Sequence, residues 1–377
     1  MAVELDNFEI ELSKIKIGKT QGVKNNIVFY GDDNKYPSEL ESLIDNSESA
    51  TLCVKTLQKV YGTSFKNIDG NTKVGSTPIG KSYTLNSLLR DIAYYMAKFN
   101  GAYILVSKNL EGNIVNVKCL DFTKVRLGEP DSLGRITYVY VGDWTKQITG
   151  KRNTNSSSFV KFPIFTSDIN IYKRMAESFG TTASVFPIFA DTKYYYPTNP
   201  FESVVNDMAT EASVQVGRYN EISNYSPSKL IIRTSLSKDD NLRSKQKEKI
   251  KSFISPTGDK VLIISTSFDD NGNPVSNGYD VKVIENTLNL DIFTNGEKSC
   301  SNNIRKAVQI PGILVDYENA TSGVTVSAEQ IKISVQYLNA VTDNTRILIS
   351  ESLSELFGDG KDYTINDFTL NLNNNEE

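Results

Sequence analysis

One stretch of the chain has the spacing of a phosphate-binding loop. The residues Gly75-Ser76-Thr77-Pro78-Ile79-Gly80-Lys81-Ser82 match the pattern G-x-x-x-x-G-K-S. In a working loop of this kind, backbone amides cradle phosphates, the lysine reaches the terminal phosphates and the serine hydroxyl binds magnesium. A P-loop NTPase that uses Gly75–Ser82 is therefore one hypothesis for the function of this chain.

The surroundings of this string argue against that chemistry. A phosphate-binding loop follows a buried strand and leads into a helix that begins at its lysine. Here residues 67–73 are polar and typical of turns, and the next helix is predicted to begin only after Thr84, its N-cap. The apolar run 261–264 is separated from Asp269, the acidic residue that magnesium binding would require. We expect the string to be incidental and to lie in a polar loop or a small hairpin.

The remaining composition limits catalysis and metal binding. The sequence has no histidine, which removes the commonest general base and the commonest zinc ligand. Its cysteines, Cys53, Cys119 and Cys300, are far apart and form no C-x-x-C pair, so buried free thiols are expected. The turn Asp269–Asn273 lacks the ligand spacing of a calcium loop. We expect no catalytic residue, no bound metal and no cofactor.

Charge and hydropathy restrict the partners. The 377 residues include 41 basic and 45 acidic side chains, which gives a net charge of −4. Proteins that grip DNA by neutralising phosphates usually have a basic surplus, so tight DNA binding over the whole surface is disfavoured. No apolar stretch reaches about 18 residues and the N-terminus is acidic, so neither a membrane span nor a signal peptide is expected.

The hydrophobic periodicity predicts a mixed α+β chain. A first helix is predicted to begin at Tyr36. Six further helices are predicted at residues 48–61, 85–99, 200–224, 238–254, 288–308 and 327–357. Predicted strands cover residues 102–107, 114–120, 125–127, 136–141, 230–232, 260–265, 279–284 and 368–372, and residues 1–30 are read as a strand or an arm. Residues 159–198 are read as aromatic-rich and irregular, and residues 150–158 as a mobile loop.

The run Tyr194-Tyr195-Tyr196 allows two interpretations. It could be a stacking platform for nucleic acid bases. It could also be part of one strand with alternating buried and exposed faces, which is the more frequent meaning of such a run.

Several segments in a fixed order resemble the portal proteins of tailed bacteriophages, in particular those of phages with Bacteroidetes-type hosts. The segments are Asp33-Asn34-Lys35-Tyr36-Pro37, Asn100-Gly101-Ala102-Tyr103-Ile104-Leu105, Tyr196–Val205 and Ile304–Leu314. No segment is a catalytic signature by itself, and the resemblance rests on their order over about residues 30–357. Gly312 departs from the family pattern, which has a second proline at this turn.

The resemblance implies a portal fold with a wing, two stem helices, an α/β clip, a tunnel loop and a short C-terminal crown. The implied ranges are an N-terminal arm and wing (1–199), the first stem helix (200–224), the clip (225–284), the second stem helix (285–310), the tunnel loop (311–326), a wing or crown helix (327–357) and a short tail (358–377).

The resemblance also implies a function and partners. Twelve copies would form a ring at the unique capsid vertex, through which double-stranded DNA passes during genome packaging and ejection. The ring would contact the major capsid protein and dock the terminase large subunit and head–tail adaptors, in a virion assembled in the host bacterial cytoplasm. Because the terminase supplies the energy, the chain itself is expected not to be an enzyme. Another head–tail connector ring protein remains an alternative.

Two groups of candidate site residues follow from the resemblance. The tunnel loop would face DNA through acidic residues that repel phosphate and neutral residues that make weak, sequence-blind contacts. Its residues are Asp316, Tyr317, Glu318, Asn319, Thr321 and Ser322. A basic helix in the clip would contact DNA or a partner protein through Arg243, Lys245, Lys247, Lys249 and Lys251. An ordinary surface loop and a solvated helix face are the alternatives for these two groups.

Overall fold

In a computed structural model of the chain, the structure describes residues 23–24, 26–144, 159–191, 195–223, 228–235, 261–266, 281–285, 290–315 and 327–370. The chain divides into two compact units. Unit 1 combines Met1–Met208 with Asn302–Glu377, and unit 2 is Ala209–Ser301.

The described residues form seven α-helices and thirteen β-strands. The helices are α1 (Tyr36–Asn46), α2 (Glu48–Tyr61), α3 (Leu85–Phe99), α4 (Ile169–Phe179), α5 (Val205–Ser223), α6 (Leu290–Ala307) and α7 (Ala328–Phe357). The strands of unit 1 are β1 (Val23–Lys24), β2 (Ile27–Val28), β3 (Lys73–Ser76), β4 (Ser82–Thr84), β5 (Gly101–Lys108), β6 (Ile114–Leu120), β7 (Val125–Leu127), β8 (Tyr138–Gly142), β9 (Phe159–Pro163) and β10 (Ala183–Phe189). The strands of unit 2 are β11 (Ser228–Ser235), β12 (Val261–Thr266) and β13 (Val281–Glu285).

The helix ends follow the capping residues in the sequence. The side chain of Ser47 accepts a hydrogen bond from the backbone of Ala50 and begins α2, and Thr84 begins α3 in the same way. Ser327 and Gln330 form a reciprocal capping box at the start of α7. Asn100 ends α3 in the left-handed conformation, with φ 59°. These observations confirm the predicted starts of α2, α3 and α7.

Unit 1 is built on two antiparallel three-stranded sheets. The strand order is β10-β5-β6 in the first sheet and β7-β8-β9 in the second. The helix α3 packs against β5 and β6 and buries an apolar face that includes Leu88, Ile92 and Met96. The helix continues through Asn100 directly into β5, whose residues are almost all buried. This arrangement agrees with the predicted α+β class.

The region between residues 159 and 198 differs from the prediction. It contains β9, α4 and β10 where an irregular segment was expected. The sequence of α4 carries apolar residues at helical spacing, Ile169, Tyr172, Ala176 and Phe179, although only Tyr172 is buried, so the helical periodicity was present and was missed. The capping residues at the two ends of α4 could also have indicated the helix. Asp168 caps its first turn, and Gly180 follows its last turn in the left-handed conformation, with φ 63°.

Two other local predictions were wrong. Tyr195 and Tyr196 are not in a strand, and Tyr196 is fully buried, so it cannot stack on a nucleic acid base. Residues 368–370 are also not in a strand, whereas Ile365 makes an isolated bridge to Phe65. The predicted strand within residues 1–22, the loop 150–158 and the helix 238–254 lie outside the described residues.

Unit 2 contains a mixed three-stranded sheet in the order β12-β11-β13. The central strand β11 pairs in parallel with β12 and antiparallel with β13. A parallel pair of consecutive strands requires a connection of a dozen or more residues, and β11 and β12 are separated by residues 236–260 in the sequence. The predicted strands 230–232, 260–265 and 279–284 are thereby confirmed as one sheet.

A buried guanidinium connects distant parts of unit 1. Arg126 on β7 is 0% exposed, and its Nε donates to the side-chain oxygen of Asn34 at 2.7 Å. Its two terminal nitrogens donate to the carbonyls of Asn34, Thr123 and Val125 at 2.7–2.9 Å. Burial lowers the pKa of Arg126, and neutral oxygens stabilise the charge.

The partner of Arg126 needs an unusual backbone conformation. Asn34 has φ 64°, the left-handed region that asparagine tolerates better than most residues. Its side-chain oxygen also accepts from the amide of Tyr30 at 3.0 Å. This explains the segment Asp33–Pro37, because Asn34 receives the guanidinium and Pro37 lies in the first turn of α1.

Stacked tyrosines extend this cluster to the segment at 196–199. The ring of Tyr30 stacks on Tyr36 and on Tyr196, with centroid distances of 5.1 and 4.1 Å. The hydroxyl of Tyr196 donates to the carbonyl of Val28 at 2.6 Å and accepts from the amide of Leu127 at 2.9 Å. Burial raises the pKa of the tyrosine hydroxyls, so they remain neutral hydrogen-bonding groups.

The Asn100-Gly101 junction packs on the same segment. The side-chain amide of Asn199 donates to the carbonyl of Lys98 at 2.8 Å. A Cβ on Gly101 would lie 2.9 Å from the rings of Phe189 and Pro197, so no larger residue fits without movement. Three of the segments that carry the portal resemblance are therefore in contact inside one core.

Replacing Arg126 with methionine should lower the free energy of unfolding by about 3 kcal/mol, because the oxygens that it satisfies would stay buried without a donor. Urea unfolding followed by circular dichroism measures the change. The matched control is Arg135→Ala, since Arg135 forms an exposed pair with Asp131 and its loss should cost less than about 0.5 kcal/mol. Equal effects of the two variants would contradict the structural role of Arg126.

Replacing Gly101 with alanine should destabilise the chain by about 2 kcal/mol, because the added methyl overpacks a closed contact. The control is Gly296→Ala in α6, where no atom lies within 4 Å of the new Cβ. That change should stabilise the helix by about 0.8 kcal/mol. A shift of both variants in the same direction in urea unfolding would refute the packing argument.

Candidate functional site

The residues of the phosphate-loop pattern form a β-hairpin. Gly75 and Ser76 belong to β3, Ser82 begins β4, and the two strands are antiparallel. Gly80 has φ 77° in the tight turn between them. The next helix, α3, begins at Leu85, after β4, and not at Lys81. The strand–loop–helix geometry of a nucleotide-binding loop is therefore absent at Gly75–Ser82.

The backbone amides of this hairpin already have acceptors inside the protein. The amide of Thr77 donates to the carbonyl of Lys81 at 2.8 Å, and the amide of Lys81 donates to the hydroxyl of Thr77 at 3.0 Å. The amide of Ser76 donates to the side chain of Asn116 at 3.1 Å, and that of Gly80 to the carbonyl of Thr77. These amides cannot cradle a phosphate, so the P-loop interpretation of this string is wrong.

Metal-binding clusters and membrane-spanning helices are absent from the described ranges. Within them, no cluster of three or more histidine, cysteine or acidic residues has the geometry to hold a metal ion. No helix in those ranges is long and apolar enough to cross a membrane. The three cysteines, which all lie in the described ranges, form no disulfide with one another, and Cys53 and Cys300 are buried.

The two predicted groups of site residues lie outside the described residues. These are Asp316, Tyr317, Glu318, Asn319, Thr321 and Ser322 of the tunnel loop, and Arg243, Lys245, Lys247, Lys249 and Lys251 of the basic helix. The structure does describe the segments on either side of the loop. Their geometry shows what holds the loop ends.

The segment before the loop is fixed at the end of α6. Gln309 has φ 57°, and the amide of Ile310 donates to the carbonyl of Arg305 at 3.1 Å. A Cβ on Gly312 would lie 2.7 Å from Nη1 of Arg305, whose side chain is buried. The glycine at this turn therefore leaves room for this guanidinium.

The helix after the loop is anchored to the C-terminal segment. Arg346 of α7 is buried and donates to the carboxylate of Asp367 at 2.7 Å and to the side chain of Asn339 at 3.2 Å. The amide of Lys66 donates to the carbonyl of Thr364 at 2.8 Å. Residues 362–368 thus connect α7 with residues 63–67.

The helices α5 and α6 are joined by polar contacts within each unit. In unit 1, the side-chain amide of Asn303 donates to the carboxylate of Asp207 at 3.0 Å. In unit 2, Arg218 forms an ion pair with Glu297 at 2.9 Å. These helices lie within the ranges that the resemblance assigns to the stem, although α5 begins at Val205, five residues after the predicted start at residue 200.

Comparisons with known proteins find a relationship at the level of structure. No protein-family model and no curated protein matches the sequence. A chain in the neck of an empty gene transfer agent particle, computed with C6 symmetry, is similar with a TM-score of 0.52 and 10% sequence identity. A chain in the virion of a native gene transfer agent particle has a TM-score of 0.50 and 10% identity. Each match covers 89% of this chain and 84% of the other.

The chain shares its fold with a chain of the gene transfer agent neck. An HK97 family phage portal protein from Corynebacterium diphtheriae is matched with a TM-score of 0.40 and 12% identity over 85% of this chain and 91% of that one. The neck-chain fold agrees with the α+β class and extends over nearly the whole sequence, including both units.

Neither the native chain nor a Lys81→Ala variant should bind ATP, because the amides around Lys81 are already bonded. Isothermal titration of both proteins with Mg-ATP checks this, with a P-loop ATPase as the positive control. Saturable binding by the native chain that disappears in Lys81→Ala would restore the NTPase hypothesis.

Proposed function

We propose that this chain is the portal subunit of a tailed bacteriophage. Twelve copies form a ring at the unique capsid vertex, and double-stranded DNA passes through the ring during packaging and ejection. The observation that carries this proposal is the fold match to a chain of the gene transfer agent neck over 89% of the sequence. Twelve copies are compatible with the sixfold symmetry with which that neck was computed.

The arrangement of elements along the chain supports the same proposal. The helices α5 and α6 flank a small mixed sheet within a separate unit, as two stem helices flank a clip. Under this proposal the tunnel loop is formed by residues 311–326. The turn at Gly312 would fix its first residues, and the capped start of α7 would hold its last. Under this proposal Asp316–Ser322 face DNA, and the residues 243–251 contact DNA or a partner.

The proposal assigns no chemical step to this chain. The terminase large subunit supplies the energy of packaging, and the portal ring docks it together with head–tail adaptors and the major capsid protein. The mature ring resides in the virion after assembly in the host cytoplasm. The alternative, another head–tail connector ring protein, is compatible with the same match, because the similar chain belongs to a neck assembly.

Purified chain should form closed rings of about twelve copies of the 42.0 kDa subunit, with a channel that admits duplex DNA. Mass photometry gives the copy number, and cryo-electron microscopy of the same sample gives the channel. A ring in which α5 and α6 do not line the channel would favour the other connector protein. A chain that stays monomeric at its highest soluble concentration would contradict the ring.

A further inference from the structure

The helix α7 has apolar residues on two opposite faces. One face packs into the core of unit 1 through Val335, Leu338, Ile349 and Leu353. The other face is exposed. Its larger apolar residues recur at helical spacing and are Ile333, Tyr337 and Ile347, with exposed fractions of 58%, 50% and 46%. A surface helix needs one apolar face to fold against its own core, so the second face indicates another partner.

The exposed face is acidic towards its C-terminal end. It borders a cavity of about 440 Å³ whose walls include Asp343, Ile347, Glu351 and Asp362. The one basic side chain of this wall, Arg346, is already paired with Asp343 and Asp367. An occupant of this surface should therefore present an apolar side chain together with basic ones.

The helix α2 carries a complementary surface on the same chain. Its exposed positions include Leu52, Lys55 and Lys59, which recur at spacings of three and four residues. The opposite face of α2, with Leu57 and Val60, is buried in the same core as α7. Each exposed surface therefore points away from the shared core, and neither covers the other within one copy.

We propose that copies of this chain join head to tail, with the exposed face of α7 in one copy against the exposed face of α2 in the next. In this contact Leu52 packs on Ile347, and Lys55 and Lys59 lie close to the carboxylates around Glu351. A contact between two different surfaces is heterologous, and it closes into a ring when the rotation between copies permits. This inference rests on the proposed ring and names the surfaces that build it.

The first test breaks each surface separately. The variants Ile347→Asp and Leu52→Asp should remain folded, with unchanged circular dichroism, because both side chains are exposed. Each should abolish rings in mass photometry. The control Leu110→Asp changes an apolar residue that is 78% exposed in the turn between β5 and β6, and it should form rings like the native chain. Rings formed by Ile347→Asp would overturn this inference and leave the portal proposal standing.

Mixing the two variants tests the pairing itself. The Ile347→Asp chain keeps an intact α2 surface, and the Leu52→Asp chain keeps an intact α7 surface. An equimolar mixture should therefore form a one-to-one dimer in sedimentation velocity, while each variant alone remains monomeric. A mixture that stays monomeric would overturn the pairing of α2 with α7. A native chain that forms no ring would instead refute the proposed function.

Charge reversal gives an independent measurement. Lys55→Glu and Glu351→Lys should each raise the subunit concentration needed to form rings at low ionic strength, because each places like charges together. Added salt should reduce this difference from the native chain, because it screens the repulsion. The double variant should reverse at least half of the increase in the subunit concentration. If the rings of the double variant are no more stable than those of the less stable single variant, the contact between Lys55 and Glu351 is refuted.

Discussion

The guanidinium of Arg126 sets the constraint on which unit 1 depends. A charged group that is fully buried must have its hydrogen bonds satisfied, and here the acceptors are backbone and amide oxygens from two distant segments. Two bonds to Asn34 hold the residues before α1 against β7. This position also places Tyr30 between Tyr36 and Tyr196, which brings the chain near residue 196 into the core.

The same constraint explains why the order of several short segments along the chain indicated the fold, although no single segment did. The segments at 33–37, 100–105 and 196–205 are short, and each contains common residue types. Their roles differ: Asn34 accepts the guanidinium, Gly101 allows close approach of Phe189 and Pro197, and Tyr196 bonds to two strands. The contacts are specific to one fold, so the residues must occur together and in sequence for the core to form.

Most helices and strands of unit 1 could be predicted because local chemistry and burial agree there. Thr84, Ser47 and Ser327 cap helices whose apolar stripes face the core. The prediction failed at α4 although Ile169, Tyr172 and Phe179 recur at helical spacing, because this signal extends over only 11 residues between two strands that contain aromatic residues. The sequence also could not reveal the Arg126–Asn34 hydrogen bond, because 92 residues separate its partners and pairing over that distance depends on the tertiary fold.

For the string at Gly75–Ser82, the residues around the motif decided the interpretation, and the motif itself did not. A phosphate-binding loop needs a buried strand before it, whereas polar flanking residues favour a hairpin.

The charge balance and the proposed assembly also support one another. A conduit for DNA must hold the duplex weakly, because each phosphate that a lysine or arginine neutralises adds affinity and would slow movement. This chain has four fewer basic than acidic side chains, and two of its exposed lysines lie on α2. In a head-to-tail ring those lysines face the carboxylates of the next copy, so the basic groups that close the ring are withdrawn from DNA. The proposed contact between α2 and α7 would therefore both assemble the ring and lower the number of lysines that are available to bind the DNA duplex.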